Sequence, residues 1–87
     1  MKISNNAYNG LNKLTHETKM DCWFWIGTDR NNNDIIRDLE NDTKLTWEEG
    51  LSELKEGLIY PLSDYNLTDD ERTAIKDLYA KYNMVIE

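Results

Sequence analysis

The chain of 87 residues has one cysteine, one histidine and one proline, and it lacks any long hydrophobic run. A single cysteine, Cys22, cannot form an internal disulfide. No stretch approaches the roughly 20 apolar residues that span a bilayer, and the first residues have no apolar core typical of a signal peptide. These absences predict a soluble, cytoplasmic protein with no membrane segment. No linker rich in Pro, Gly or Ser interrupts the chain, which predicts one domain over residues 1–87.

Positive charge is scarce in most of the chain. Residues 1–27 carry a net charge of +1, whereas residues 28–87 carry −8, which together give −7. A field of that sign repels nucleic acid and attracts basic surfaces, so no direct nucleic-acid binding is expected. Three Trp and five Tyr make the chain too aromatic for a disordered acidic tail. A chain of this length buries only about 60–65% of its unfolded surface, which favours action through the surface over an enzyme with a large pocket.

The clearest local signals are two helix starts. Thr46 and Thr68 are each followed three residues later by a glutamate, Glu49 and Glu71, which is the pattern of a capping box. Helical spacing of apolar residues follows both starts. A weaker helix is predicted after Ser4. The apolar positions of the three helices are Ala7, Leu11 and Leu14; Trp47, Leu51, Leu54 and Leu58; and Ile75, Leu78, Tyr79 and Tyr82.

The middle of the chain predicts a β-hairpin. Residues 22–26 are rich in strand formers, and residues 30–33 include three Asn, which tolerate left-handed backbone in turns. Residues 34–40 return as a second strand or, alternatively, as a short helix. The predicted order is α-β-β-α-α, a small α+β domain in which helices cover the hairpin because two strands alone are marginal in water.

Alternation along the first strand places Trp23 and Trp25 on one face and Phe24 and Ile26 on the other, with Cys22 as a small core residue. Two interpretations remain open. Helices could cover both faces, or the Trp face could be an interface anchor, a role in which Trp is enriched.

The second helix carries Glu49, Glu53 and Glu56 opposite its apolar positions. They span about 10 Å, and because DNA has a phosphate about every 3.4 Å along each strand, they could imitate part of a phosphate row. A solvated helix face is the alternative. Acidic residues of the hairpin region could extend this surface, and they are Asp29, Asp34, Asp38, Glu40 and Asp42.

Residues 38–49 resemble an EF-hand calcium loop over twelve residues. The oxygen ligands of this weak metal alternative would be Asp38, Glu40, Asp42, Thr46 and Glu49. Thr43 stands where the sharp turn needs Gly, and no convincing entering helix is present. His16 and Cys22 are conceivable as a nucleophilic pair, but no third group is identifiable to orient the base. The sequence therefore predicts no catalytic residue, no cofactor and no firm metal site.

The chain resembles the small acidic anti-defence proteins of phages and mobile elements, anti-CRISPR proteins among them, in size, charge and aromatic content. The acidic stretch 29–56 carries most of this resemblance. No diagnostic motif is matched. The resemblance implies a non-catalytic inhibitor in the host-cell cytoplasm. It would bind a larger basic protein, a nucleic-acid-binding effector or nuclease, and block nucleic-acid loading. The alternatives are a calcium-responsive module at residues 38–49 and a homodimeric structural or regulatory protein that pairs through an apolar hairpin face.

Overall fold

A three-stranded antiparallel sheet with helices before and after it forms the architecture. The computed structural model describes residues 1–87. The order of elements is α1 (Asn5–Glu17), β1 (Phe24–Thr28), β2 (Asp34–Asp38), β3 (Thr43–Leu45), α2 (Trp47–Gly57) and α3 (Asp69–Ala80), with 3₁₀ turns at Met20–Cys22 and Leu62–Asp64. The sheet order is β1-β2-β3. The predicted α+β class in a single domain is confirmed, and the order differs by one added strand.

The added strand, β3, pairs with the end of β2 through a tight turn. Asp42 has φ 52°, in the left-handed region. The Asp38 carboxylate accepts the backbone N–H groups of Glu40 and Asn41, and the Arg37 guanidinium donates to the Asp42 carboxylate at 2.7 Å. These contacts close a second hairpin. They explain why a strand of only three residues forms where the sequence showed no strand pattern.

The first hairpin agrees with the sequence. Asn32 has φ 63°, and the Asp29 carboxylate accepts the N–H groups of Asn31 and Asn33, both at 2.9 Å. Because residues 34–38 form β2, the strand interpretation is confirmed and the short-helix alternative is wrong. The register pairs Ile26 with Ile36 across the two strands.

All three predicted helix starts are confirmed. The Ser4 hydroxyl accepts the Ala7 N–H at the start of α1, and complete capping boxes begin α2 and α3. In each box the Thr hydroxyl accepts the N–H of the glutamate three residues on, at 3.1 Å. Each such cap stabilises its helix by about 1 kcal/mol.

The core lies between the helices and one face of the sheet, which we call the inner face. Helix α2 approaches β2 closely at Gly50, where an added Cβ would lie 2.7 Å from Ile36. Helices α1 and α3 approach at Gly10, whose Cβ would lie 2.9 Å from Ile75. The fully buried side chains are Leu11, Leu14, Ile36, Leu51, Leu54, Leu62, Ile75 and Tyr79.

The segment before β1 differs from the sequence prediction. Lys19 has φ 64° and leads into the 3₁₀ turn Met20–Cys22, so the strand begins at Phe24 rather than Cys22. Cys22 is exposed, and its predicted role as a small core residue is wrong. Met20, buried in the same turn, contributes to the core instead.

Candidate protein-binding surfaces

Helix α2 presents an exposed row of three carboxylates, which we call the Glu stripe: Glu49, Glu53 and Glu56. The opposite side of the helix is buried at Trp47, Gly50, Leu51 and Leu54. At a rise of about 1.5 Å per residue, the stripe extends about 10 Å along the helix. The stripe therefore points away from the core along its whole length.

The three glutamates are not equivalent. Glu49 completes the capping box, and its Oε1 accepts from the Thr46 N–H at 3.1 Å and from the Thr46 hydroxyl at 2.9 Å. The Thr46 N–H lowers the pKa of Glu49, so this carboxylate stays ionised. Glu53 and Glu56 form no hydrogen bond or ion pair, which leaves both free to meet cations of a partner.

Most acidic residues of the hairpins are engaged in turns but remain exposed or half-buried. Hydrogen bonds from the Asn33 backbone lower the pKa of Asp29, and those from the Asn41 side chain and backbone lower the pKa of Asp38. Asp42 is exposed and paired with Arg37. Only Glu40 has a carboxylate without a partner in the chain. These groups add negative charge to the hairpin turns, although their geometry is set by internal bonds.

Asp34 has a different place from the other predicted surface residues, because it is only 3% exposed. Its carboxylate accepts from the Ile3 N–H at 2.9 Å, from Thr28 Oγ1 at 3.0 Å and from Lys2 Nζ at 3.2 Å. Burial opposes the charge, but these bonds outweigh it and hold the pKa of Asp34 below its usual value. Its backbone carbonyl also accepts from Trp47 Nε1 at 3.0 Å. Asp34 joins the N-terminus, the sheet and α2, and it is not available to a partner.

The two tryptophans lie outside the core. Trp23 is 59% exposed and Trp25 is 43% exposed, while Ile26 on the inner face is buried. Of the two interpretations of this strand, the structure therefore supports the bare Trp face. The Trp25 indole lies over Gly27, where an added Cβ would overlap its six-membered ring. The glycine in the strand makes room for the ring to lie flat on the sheet.

Two cations share a row with Trp25 on what we call the outer face of the sheet. The register places Arg37 opposite Trp25 and Lys44 opposite Arg37, in one row across the three strands. Because α2 packs on the inner face, the Glu stripe and the outer face are different sides of the molecule. The structure does not bring the tryptophans together with the stripe, and the sign of the charge beside Trp25 is opposite to that of the stripe.

The predicted calcium ligands are not brought together. Asp38, Glu40 and Asp42 belong to the turn before β3, whereas Thr46 and Glu49 form the cap of α2 after it. Strand β3 separates the two groups, so residues 38–49 do not form the predicted loop. No group of three or more His, Cys, Asp or Glu side chains has a metal-binding arrangement.

Titratable side chains gather in one surface hollow, which Asp69, Arg72, Lys76 and Glu87 line together with Ser63 and Thr73. Within it, Arg72 is already paired with Asp69. His16 Nδ1 contacts the Asp21 carboxylate at 3.1 Å, and it forms no hydrogen bond with Cys22. An open groove between the end of α2 and the C-terminal segment is lined by eight residues, five of them hydrophobic. Its rim includes Ile59, which is 84% exposed, and Val85, which is 75% exposed. This groove was not predicted from the sequence, although the run of apolar residues 58–60 was a usable signal.

Comparisons with protein-family models, with curated protein sequences and with solved structures found no match. None of the helices combines the length and the apolar character that crossing a membrane requires.

Proposed function

We propose that this protein is a non-catalytic inhibitor that binds a basic nucleic-acid-binding surface of a larger protein through the Glu stripe. The observation that carries the proposal is the exposure of three carboxylates in a row, two of them without any partner in the chain. Bound in this way, the chain would block nucleic-acid loading in the manner of the anti-CRISPR-type proteins that its composition resembles.

The electrostatic basis of the proposal is local as well as global. Residues 28–87 carry a net charge of −8, and a field of that sign accelerates encounter with a basic surface. Since α2 is held rigidly by the capping box and by close packing at Gly50, its carboxylates keep their spacing when they meet the partner. A pre-organised row loses less conformational freedom on binding than the same charges on a loop.

The outer face of the sheet is left out of this interface. A basic surface that docked there would meet the unpaired cation of Lys44 and no free carboxylate of the strands, so charge would oppose binding. We therefore assign the contact to the Glu stripe of α2 and give Trp23 and Trp25 no part in it.

The test begins with wild-type protein immobilised on beads, exposed to host lysate and washed. Retained proteins are then eluted with a short duplex DNA, so that only proteins held through a nucleic-acid-binding surface are released and identified by mass spectrometry. The strongest of these is purified, and its affinity for the chain is measured at several salt concentrations. Because bound cations and carboxylates are screened by salt, affinity is expected to fall as salt rises.

The decisive variant changes all three residues of the Glu stripe to Gln. Gln at position 49 can still accept the hydrogen bond of the cap, so α2 is expected to form. The matched control removes the same charge elsewhere through Asp64→Asn, Asp70→Asn and Asp77→Asn, all exposed and without partners. The stripe variant is expected to lose about tenfold or more in affinity and the control much less. Equal loss in both, or no loss in the stripe variant, would show that the stripe is not the binding surface.

A further inference from the structure

The helices cover only the inner face of the sheet, and the outer face is bare. Alternation from the register places Trp25 and Ile35 on the outer face. Leu39 follows the end of β2 and lies next to Trp23, because its N–H donates to the Trp23 carbonyl at 2.8 Å. Trp23, Trp25 and Leu39 are among the few large apolar side chains that the fold leaves exposed. We propose that this face binds the same face of a second copy of the chain, so that two sheets pack together in a symmetric dimer.

The charges on the outer face favour a second copy of the chain over nucleic acid or a basic protein as the partner. Arg37 is already paired with Asp42 at 2.7 Å, which leaves Lys44 as the only outward charge of the strands without such a pair. In a chain of net charge −7, this face of the strands is therefore free of the unpaired carboxylates that would drive two copies apart. Nucleic acid would need more free cations, and a basic partner would need free carboxylates. A nearly neutral apolar face fits its own copy.

The shape of the face is suited to packing of one sheet on another. The Trp25 indole lies flat over Gly27 rather than standing away from the sheet. Aligned sheets pack face to face at about 10 Å with strands about 30° apart, a distance that side chains from both faces fill. Lys44 is on β3, an edge strand, so its ammonium group can remain at the rim of such an interface.

The area available for the contact is small for a stable dimer. Trp23 and Trp25 expose 59% and 43% of their surfaces, and aromatic side chains offer about 150–250 Å² each. With Ile35, Leu39 and the aliphatic stems of the two cations, each copy would contribute about 400–500 Å², below the size of a standard stable interface. We therefore expect a weak, concentration-dependent dimer with a Kd of about 10–100 μM.

The experiment measures molecular mass by sedimentation equilibrium with the full chain alone, from about 5 μM to about 500 μM, a range that brackets the expected Kd. The mass is expected to rise from monomer towards dimer, and the Trp emission to shift to shorter wavelength as the indoles are buried. Raising the salt is expected to leave the Kd unchanged or to lower it, since the contact is apolar. A chain that stays monomeric throughout this range would overturn the proposal.

Two lysine variants of equal charge locate the contact. Leu39→Lys adds a cation to the outer face beside Arg37 and Lys44, and we expect the dimer Kd to rise about tenfold or more. Ile59→Lys makes the same change in the groove beyond α2 and should leave the Kd nearly unchanged. Both sites are exposed, and circular dichroism checks that both variants fold. Loss of the dimer in Ile59→Lys, with none in Leu39→Lys, would place the contact in the groove and refute the proposal.

This test needs no target protein, so its outcome is independent of the proposed inhibitory function. If both proposals hold, the dimer exposes two Glu stripes, one on each copy and both on the sides away from the contact, because α2 packs on the inner face of the sheet.

Discussion

Replacing Asp34 by Ala separates a structural role from a role in partner binding. In the folded chain the carboxylate of Asp34 is buried and accepts three hydrogen bonds, from the Ile3 N–H, Lys2 Nζ and Thr28 Oγ1. The variant removes all three acceptor contacts and leaves the Ile3 N–H buried without a partner. We therefore expect a large loss of stability, and no loss of target binding beyond what that instability causes.

The size of the loss follows from the three contacts. A buried N–H left without an acceptor costs about 1–3 kcal/mol. The ion pair with Lys2 contributes about 0–1 kcal/mol because the lysine is half exposed. The Thr28 hydroxyl is on an exposed residue and can bond to water instead. The sum is about 1–4 kcal/mol, which corresponds to about 4–32 °C in the thermal midpoint of a domain this size.

The assay is urea unfolding followed by Trp fluorescence, with Glu53→Ala as the control for loss of an exposed carboxylate. Glu53 has no internal partner, so its midpoint should stay close to that of the wild type. If Asp34→Ala and Glu53→Ala unfolded at the same urea concentration, the reasoning about Asp34 would be refuted.

The pH dependence of the same variant gives a second test. Because the folded chain holds the pKa of Asp34 below its usual value of 3.8, the charged form stabilises the fold at every pH well above 3.8. That contribution is lost as the pH falls through the lowered pKa of the folded state. The gap in stability between wild type and variant should therefore be constant from about pH 5 to pH 7 and narrow below about pH 4. A gap that widened on acidification would contradict the assignment.

Two further predictions concern the core. Gly50→Ala is expected to destabilise the fold by about 1–3 kcal/mol, because the added methyl group lies 2.7 Å from Ile36. This loss is expected even though Ala favours helices more than Gly does. An unchanged urea midpoint would show that α2 can move away from β2 at no cost. Tyr79→Phe removes the hydroxyl that donates to the Leu51 carbonyl at 2.7 Å. Thermal unfolding is expected to show a loss of about 0.5–1.5 kcal/mol in the free energy of unfolding. A variant more stable than the wild type would contradict the role given to that hydrogen bond.

The helices were predictable because their signals are local. Thr46 and Thr68 each precede a glutamate at the spacing of a capping box, and the apolar residues that follow repeat at helical intervals. These patterns depend only on neighbours along the chain, so the sequence alone reveals them. The Glu stripe was predictable for the same reason, since helical spacing dictates which residues share a face.

The third strand was not predictable, because its stability comes from contacts made after folding. Residues 43–45 have no strand pattern of their own. They pair with β2 because Asp38 and Arg37 bind the turn between them and because Asp42 adopts left-handed backbone. Such a turn depends on several side chains at once, and propensity at single positions does not reveal it.

The roles of individual acidic residues were also beyond the sequence. Nothing in the local pattern distinguishes Asp34, which is buried and triply bonded, from Glu40, which is exposed and free. The difference arises because the N-terminus returns to the start of β2, a contact between residues more than 30 positions apart. Likewise, the exposure of Trp25 depends on which face of the sheet the helices cover.

The packing of α1 against α3 has a consequence for folding during synthesis. These helices meet through Gly10 and Ile75, near opposite ends of the chain, whereas the strands and α2 follow one another with short connections. The sheet and α2 can therefore assemble from neighbouring segments, but α1 is translated before them and lacks its main helical neighbour until α3 has been translated. Packing of α1 against α3 is therefore a late step of folding, because it joins segments far apart in the sequence.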